Sequence, residues 1–517
     1  MLKNSRLIKS SIIVMILLVI GKVLAFVRDA LIAAKFGTTI ETDIYMFAFG
    51  AVMLLTSIGY GLTTTFIPIH TENIEKKTFK ERNEYVNKLL NIFMLFTIIV
   101  TILGIIFAKY IIMICAPGFT KNPAVFSMAV QIIRIMFLSL IFVGMQSIIT
   151  GVLQAHKYFF EPSAMSIASN LIYVIYLVFL PDKYGILGFG VATVLGFFAQ
   201  YIINVPRFRA LGYKYKFILD FKDKDIIRLF KLMLPIIIST SLIQINLFIN
   251  RSFATNLYEG AVSILDFSNK VTMLVYEVFA VAISTVIYPT LATHAANKNN
   301  TEYNKALGKS INMIFLILIP AAVGIIVLRV PIISVIFKRG QFVESSVIKT
   351  AQALLFFSPA IIFYGLRDIL SRAFYSLKDT KTPMINSFFG IILNFILSSI
   401  LVKFMNVSGL TLAASISTGM ITLLLFYNLN KKVKGINVKN IITEFVKILI
   451  ASAVMGAVVY IIYKFLGAHL ALTMKGNLII ILISVIAAVP VYVISAYMLK
   501  VKELKEIFNI GSHGAEN

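Results

Sequence analysis

Long apolar segments alternate with short polar connections over nearly the whole chain. Fourteen of these segments approach or exceed the roughly 20 residues that a helix needs to cross a bilayer. We therefore predict an all-α polytopic membrane protein with 14 transmembrane helices. The predicted spans are residues 9–36, 41–69, 89–114, 124–153, 160–180, 184–205, 229–256, 260–292, 307–330, 345–377, 383–404, 408–430, 440–466 and 476–499.

Basic residues are distributed unevenly between the connections. The formal net charge is +25, and loops such as 71–88 and 206–231 are rich in Lys and Arg, whereas the intervening loops carry one or two basic residues each. This alternation is the positive-inside pattern, and it predicts that both termini are cytoplasmic. Because the basic residues interleave with the spans, we do not expect a nucleic-acid partner.

Charged residues recur at matched positions in the two halves of the chain. Arg28 precedes Asp43 by 15 residues, and Arg251 precedes Asp266 by the same distance. This repeat predicts two pseudo-symmetric six-helix lobes related by an axis along the membrane normal. The predicted regions are an N-terminal lobe (1–205), a cytoplasmic basic linker (206–228), a C-terminal lobe (229–430), two extra helices (431–499) and a cytoplasmic tail (500–517).

Several charges lie inside the predicted spans, where each costs about 2.5–3.5 kcal/mol at the bilayer centre. Asp266, Lys270 and Glu277 fall within about 40° of one another on the eighth span, which predicts a cavity-lining face. A pair of Asp266 and Lys270 that tethers neighbouring helices is the alternative. Arg28 and Asp29 are adjacent and diverge by about 100°, so we expect them to point into different walls.

Two arginines are candidates for binding a phosphorylated substrate. Arg28 and Arg251 occupy equivalent helices of the two predicted lobes, and the planar guanidinium suits a phosphate. We predict that together they clamp a diphosphate, with Asn250 beside Arg251. The alternative is that both side chains extend to the membrane interface.

No pattern indicates an enzyme. The five histidines lack metal-ligand spacing, no Gly-rich phosphate loop is present, and the single cysteine cannot form an internal disulfide. We therefore expect no catalytic residues, no metal and no cofactor. Transport without an ATPase draws on an ion gradient or on the membrane potential, which is worth about 2.3 kcal/mol per charge per 100 mV.

Four motifs connect the chain with a known family. They are GKVLAFVRDALIAAKFG at Gly21–Gly37 with the following Asp43, APGF at Ala116–Phe119, FKRGQF at Phe337–Phe342 and FYSLKDTKTP at Phe374–Pro383. In this order and at these places the chain resembles the MviN/MurJ family. The resemblance implies a flippase of the multidrug/oligosaccharidyl-lipid/polysaccharide exporter superfamily in the bacterial inner membrane.

The family's substrate is lipid II, the undecaprenyl-diphosphate-linked peptidoglycan precursor, which is moved to the outer leaflet by alternating access. The resemblance implies a role in cell-wall synthesis and cell shape, and a groove for the polyprenyl tail at the last two helices. The expected partners are lipid II or a related glycolipid, membrane lipids and a possible coupling cation. The predicted substrate-binding residues are Arg28, Asp29, Asp43, Arg251, Lys22 and Lys270, and the predicted ion-coupling or cavity-lining residues are Asp266, Glu277 and Asn250.

The chain departs from the family pattern in its first two spans. Lys22 stands where many members have Arg, Gly50 where many have a basic residue, and Tyr60 with Gly61 where many have Glu-Gly. These departures leave open a flippase for another polyprenyl-linked glycan. A drug/cation antiporter of the sister family predicts a cavity dominated by carboxylates. A glycosyltransferase needs a larger outer loop, and a scaffold of the division machinery would tolerate neutral substitutions of the span charges.

Overall fold

A computed structural model describes residues 2–470 and 473–505, and all its secondary-structure elements are helical. The prediction of an all-α membrane protein is therefore confirmed. A 3₁₀ helix (Pro117–Lys121) follows α3. The α-helices are α1 (Leu2–Phe36), α2 (Ile40–Lys76), α3 (Phe79–Cys115), α4 (Pro123–Phe137), α5 (Ser139–Ala155), α6 (Phe160–Phe179), α7 (Pro181–Ala210), α8 (Lys224–Ala254), α9 (Ala261–Ala296), α10 (Asn300–Phe337), α11 (Glu344–Ser376), α12 (Lys381–Val433), α13 (Val438–His469) and α14 (Met474–Met498).

The 14 predicted spans follow these helices with two local differences. The fourth span is broken at Leu138, so that α4 and α5 share it. The eleventh and twelfth spans are two helical parts of α12 that meet at a kink at Asn406, whose φ of 51° lies in the region that favours glycine. Within the described residues, ten helices are long and apolar enough to cross a membrane, or eleven if the bent α8 is included.

The chain divides into two compact units. Unit 1 comprises Met1–Ser263 together with Gly340–Phe342, and unit 2 comprises Ile264–Arg339 and Val343–Asn517. In unit 1, α8 packs along α2 and α6 packs between α1 and α7. In unit 2, α11 packs against both α10 and α12, and α13 packs against α10 and α14. The division falls after α8, whereas the lobes predicted from the repeat are separated by the linker 206–228; that boundary stays a prediction.

The linker contains a non-helical segment, residues 213–220, that lies along α3 and is here named the strap. Asn83, Asn87 and Asn91 are spaced by four residues, so they share one face of α3. Asn87 Nδ2 donates to the Lys214 carbonyl at 2.8 Å, and the Lys216 amide donates back to Asn87 Oδ1 at 2.8 Å. The strap thus has a fixed course.

An ion-pair network continues this attachment. Lys88 Nζ lies 2.8 Å from both Asp220 Oδ2 and Asp223 Oδ2. The hydrogen bond from Lys88 lowers the pKa of the Asp220 carboxyl. At the start of the strap, the hydroxyl of the buried Tyr213 lies 2.9 Å from His70 Nε2 and 3.0 Å from His156 Nε2. Tyr213 therefore joins α2, the end of α5 and the strap.

At the opposite end of unit 1, the family motifs make close backbone approaches. A Cβ on Gly118 of the APGF motif would lie 1.7 Å from the Thr255 carbonyl oxygen. A Cβ on Gly340 of the FKRGQF motif would lie 2.1 Å from the Ala34 carbonyl oxygen, and that carbonyl accepts the Gln341 amide at 2.9 Å. Only glycine fits at these two positions, so both motifs serve loop packing.

Candidate substrate-binding site

A polar cavity of about 440 Å³ lies within unit 1. Its walls come from α1, α2, α5, α6 and α7, and they combine one cation with hydroxyl and amide side chains. The polar side chains include Arg28, Thr56, Gln146, Ser169, Asn170 and Gln200. This lining can donate and accept many hydrogen bonds with little net charge, which suits a polyhydroxyl or amide-bearing ligand.

Arg28 is the cation of this cavity, and its guanidinium is held from two sides. Nη2 and Nε donate to Asp29 Oδ1 at 2.8 and 3.0 Å, and Nη1 donates to Asn170 Oδ1 at 3.1 Å. The guanidinium carbon also lies 5.8 Å from the centre of the Tyr173 ring. Arg28 lines the cavity and Asp29 does not, which agrees with the prediction that the two residues point into different walls. Their side chains still meet, because the arginine is long enough to bridge the angle between adjacent helical positions.

Arg251 lies on α8 and packs against α2. A Cβ on Gly50 would lie 2.5 Å from Arg251 Nη1 and 2.9 Å from Arg251 Cδ. Gly50 therefore provides the space that the arginine occupies. The departure from the family pattern at position 50 thus has a steric consequence, since a larger residue there displaces Arg251. The neighbouring Asn250 is buried.

Asp43 does not line the cavity but fixes the loop between α8 and α9. Its carboxylate accepts the Gly260 amide at 2.8 Å and the Ser263 amide at 2.7 Å, and the residue is 2% exposed. Ser263 lies in the first turn of α9, so the carboxylate also caps this helix. The structure therefore gives Asp43 a positioning role, and its predicted contact with substrate stays a prediction.

The other predicted site residues occupy varied environments. Lys22 is exposed on α1. On α9 in unit 2, Asp266 is buried, Lys270 Nζ lies 5.5 Å from the centre of the Phe267 ring, and Glu277 is exposed. The proposed ion-coupling function of this stripe stays a prediction. Within the described residues, no group of three or more His, Cys, Asp or Glu side chains has a metal-binding arrangement.

Unit 2 contains an apolar groove of about 400 Å³. Side chains of α10, α11, α12 and α13 form its walls, among them Phe315, Phe363, Phe426 and Phe445. Thr422 is the one lining residue with a polar side chain. The groove includes α13 but not α14, whereas the resemblance implied a tail groove at both extra helices.

Sequence reasoning missed the residues that position the arginines. Asn170 and Tyr173 hold Arg28, and Asn170 is 3% exposed within a predicted span. A buried amide in a predicted span was a usable signal, since such groups require a partner. The sequence indicated only that Gly50 lacks the positive charge of many family members. Its steric role depends on Arg251, which the structure places beside it.

Comparison with known proteins gives a consistent result along the chain. The sequence model of the family described as "Lipid II flippase MurJ" matches residues 32–479. A protein of Buchnera aphidicola subsp. Acyrthosiphon pisum named "Probable lipid II flippase MurJ" is 28% identical over 468 residues, covering 90% of this chain and 91% of that protein. A Rickettsia prowazekii protein of the same name is 28% identical over 511 residues, covering 96% and 98%.

Solved structures show the same relationship at the level of the fold. A structure titled "Lipid II flippase MurJ, inward closed conformation" matches with a TM-score of 0.78 and 25% identity, covering 94% of this chain and 98% of that one. An inward-facing multidrug resistance MATE family transporter shares the fold, with a TM-score of 0.68 and 14% identity, over 82% of this chain and 98% of that one. Because the family match extends from α1 into α14, and two of the four motifs that suggested it lie at structurally restricted loops, this multi-pass membrane protein belongs to the MurJ family.

Proposed function

We propose that this protein moves lipid II from the cytoplasmic to the outer leaflet of a bacterial inner membrane, with both termini in the cytoplasm, by alternating access. The relatives named above carry the lipid II flippase name. The observation that carries the proposal is the fixed guanidinium of Arg28 at the wall of a polar cavity. An arginine inside a membrane span is a candidate functional residue, and its positive charge suits an anionic group.

The geometry of Arg28 suits a diphosphate. A guanidinium has five N–H donors. Three of them are engaged by Asp29 and Asn170, which leaves two for a ligand. Because its partners already orient the group, binding costs little side-chain entropy. The carboxylate of Asp29 balances the arginine charge when no anion is bound, and the surrounding amides and hydroxyls suit the sugars and peptide of a glycolipid headgroup.

The apolar groove of unit 2 suits the hydrocarbon tail of this substrate. Its walls are almost wholly aliphatic and aromatic, so it stabilises a hydrocarbon chain without requiring a polar partner. In our proposal the polyprenyl tail follows this groove while the headgroup crosses. The driving force is the membrane potential or an ion gradient, with Asp266, Glu277 and Asn250 as the candidate coupling residues.

Complementation tests the proposal in cells depleted of their own flippase, with lipid II accessibility at the outer leaflet as a second readout. Arg28→Ala and Arg251→Ala should insert normally, fail to support growth and leave lipid II inaccessible. Arg134→Ala is the matched control, because Arg134 is an exposed arginine on α4 that does not line the cavity. Growth and accessibility in both test variants would refute the proposal. Rescue by the wild type without lipid II exposure would instead indicate another polyprenyl-linked glycan.

A further inference from the structure

A second pocket of unit 1 lies next to the strap, at the end that the basic loops assign to the cytoplasm. Its volume is about 770 Å³, which falls within the range of about 300–1,000 Å³ typical of ligand sites. Its walls are the first half of α3, the middle of α5, the end of α7 and the start of the strap. It shares no lining residue with the polar cavity that contains Arg28.

The chemistry of this pocket is amphipathic. The inner wall is formed by aliphatic and thioether side chains, including Leu90, Met94, Met145 and Ile149. Three tyrosines, Tyr201, Tyr213 and Tyr215, add rings with polar tips. Arg209 and Lys214 are the charged lining residues, both are cationic, and both are exposed. A hydrocarbon surface bordered by two cations is complementary to an amphiphile with an anionic head.

The wall that carries Lys214 is fixed before any ligand binds. The Lys214 amide donates to Asn83 Oδ1 at 3.0 Å, and its carbonyl accepts Asn87 Nδ2 at 2.8 Å. Tyr213 is held by the two histidines described above. Both backbone groups of Lys214 are thus engaged, while the residue is exposed and lines the pocket. A site with a fixed wall loses little conformational entropy on binding.

We propose that this pocket binds an anionic phospholipid of the cytoplasmic leaflet. One acyl chain lies against the wall of α3 and α5, and the phosphate is bound by Arg209 and Lys214. Basic pockets between transmembrane helices on the cytoplasmic side are suited to anionic headgroups. Arginine supplies the planar fork of donors, and lysine supplies a second positive charge. A zwitterionic lipid lacks the net charge that these two cations attract.

The absence of tryptophan from the sequence makes a direct test possible. Tyr201→Trp places a single fluorophore in the pocket, and Ile202→Trp places one on the same helix at a position that is 43% exposed and outside the lining. Each full-length variant is reconstituted in phosphatidylcholine vesicles that contain increasing fractions of brominated phosphatidylglycerol or brominated phosphatidylcholine. Contact with the brominated chain quenches the tryptophan.

We expect the fluorophore at position 201 to be half-quenched at an about tenfold lower mole fraction of the brominated anionic lipid than of the brominated zwitterionic lipid, since one charge-assisted contact corresponds to roughly a factor of ten. The preference should disappear when Arg209→Gln and Lys214→Gln are added, and persist when Lys222→Gln and Lys224→Gln are added. The second pair removes the same charge from the linker outside the pocket. The fluorophore at position 202 should be quenched equally by both lipids.

Three results would overturn the proposal. Equal quenching of the pocket fluorophore by both lipids excludes a preference for the anionic headgroup. If millimolar inorganic phosphate abolishes the preference for the anionic lipid, Arg209 and Lys214 bind a soluble anion and not a phospholipid. Displacement of the brominated lipid by an equimolar polyprenyl phosphate assigns the pocket to the substrate carrier. The measurement does not depend on transport, so it is independent of the proposed flippase function.

Discussion

Replacement of Asp43 by alanine should open the loop between α8 and α9. The carboxylate accepts two buried backbone amides, from Gly260 and Ser263, at 2.8 and 2.7 Å. A hydrogen bond to a charged group contributes about 1.5–3 kcal/mol, so the loss of both destabilises the closed loop by about 3–6 kcal/mol. Asp43→Asn keeps one acceptor oxygen and should cost about half as much.

Hydrogen exchange followed by mass spectrometry measures this effect on a peptide that covers residues 256–266. Since 1.4 kcal/mol corresponds to a factor of ten, the two amides should exchange about 100-fold to 10,000-fold faster in Asp43→Ala. Glu41→Ala is the control, because Glu41 lies in the same first turn of α2 but does not bond this loop. Unchanged exchange in Asp43→Ala, or equal acceleration in the control, would show that the carboxylate does not hold the loop.

Two other sites give predictions of the same kind. Gly50→Ala should reduce complementation in part, and Gly50→Arg should abolish it, because the added atoms displace the Arg251 guanidinium. Full complementation by both variants would contradict this packing. Tyr213→Phe should lower the thermal unfolding midpoint in detergent, because two imidazoles lose a hydrogen-bond partner and each such loss costs about 1–3 kcal/mol. Tyr110→Phe is the control and should leave the midpoint unchanged, because Tyr110 is 56% exposed. Burial lowers the pKa of His156, so stability is full above the ordinary pKa of about 6.5 and decreases as the pH falls below it. The thermal midpoint should therefore decrease when the pH is lowered from 7.5 to 5.5, and it should decrease less in His156→Gln. An equal decrease in the two proteins would contradict a role for this imidazole.

Hydropathy predicted the helices because a segment that crosses lipid needs apolar side chains, and its backbone groups, which have no water to bond, must bond one another in a helix. It gave no indication of the strap, whose course depends on hydrogen bonds to α3 rather than on burial. The spacing of Asn83, Asn87 and Asn91 did place three amides on one helical face, but their backbone partners in the strap lie 125–131 residues away in sequence. Contacts at that separation follow from the tertiary structure and not from a local pattern.

Site residues were predictable as residue types but not as contacts. Arg28 was identified because a charge within a span requires a partner, but its hydrogen bonds to the adjacent Asp29 were not predicted. Cα directions do not determine where a long guanidinium group ends. Similarly, Asp43 was identified through its motif, and its use as a loop anchor depends on two backbone amides that no sequence pattern identifies.

The most direct test of the central claim is lipid II translocation by the purified protein in vesicles. Fluorescent lipid II is placed in one leaflet, a membrane potential is imposed, and an impermeant reagent reports the fraction that reaches the other leaflet. We predict translocation by the wild type and by Arg134→Ala, and none by Arg28→Ala in equal amounts and with equal thermal stability. Translocation by Arg28→Ala at the wild-type rate would contradict the assignment of the guanidinium in the polar cavity to the lipid II diphosphate.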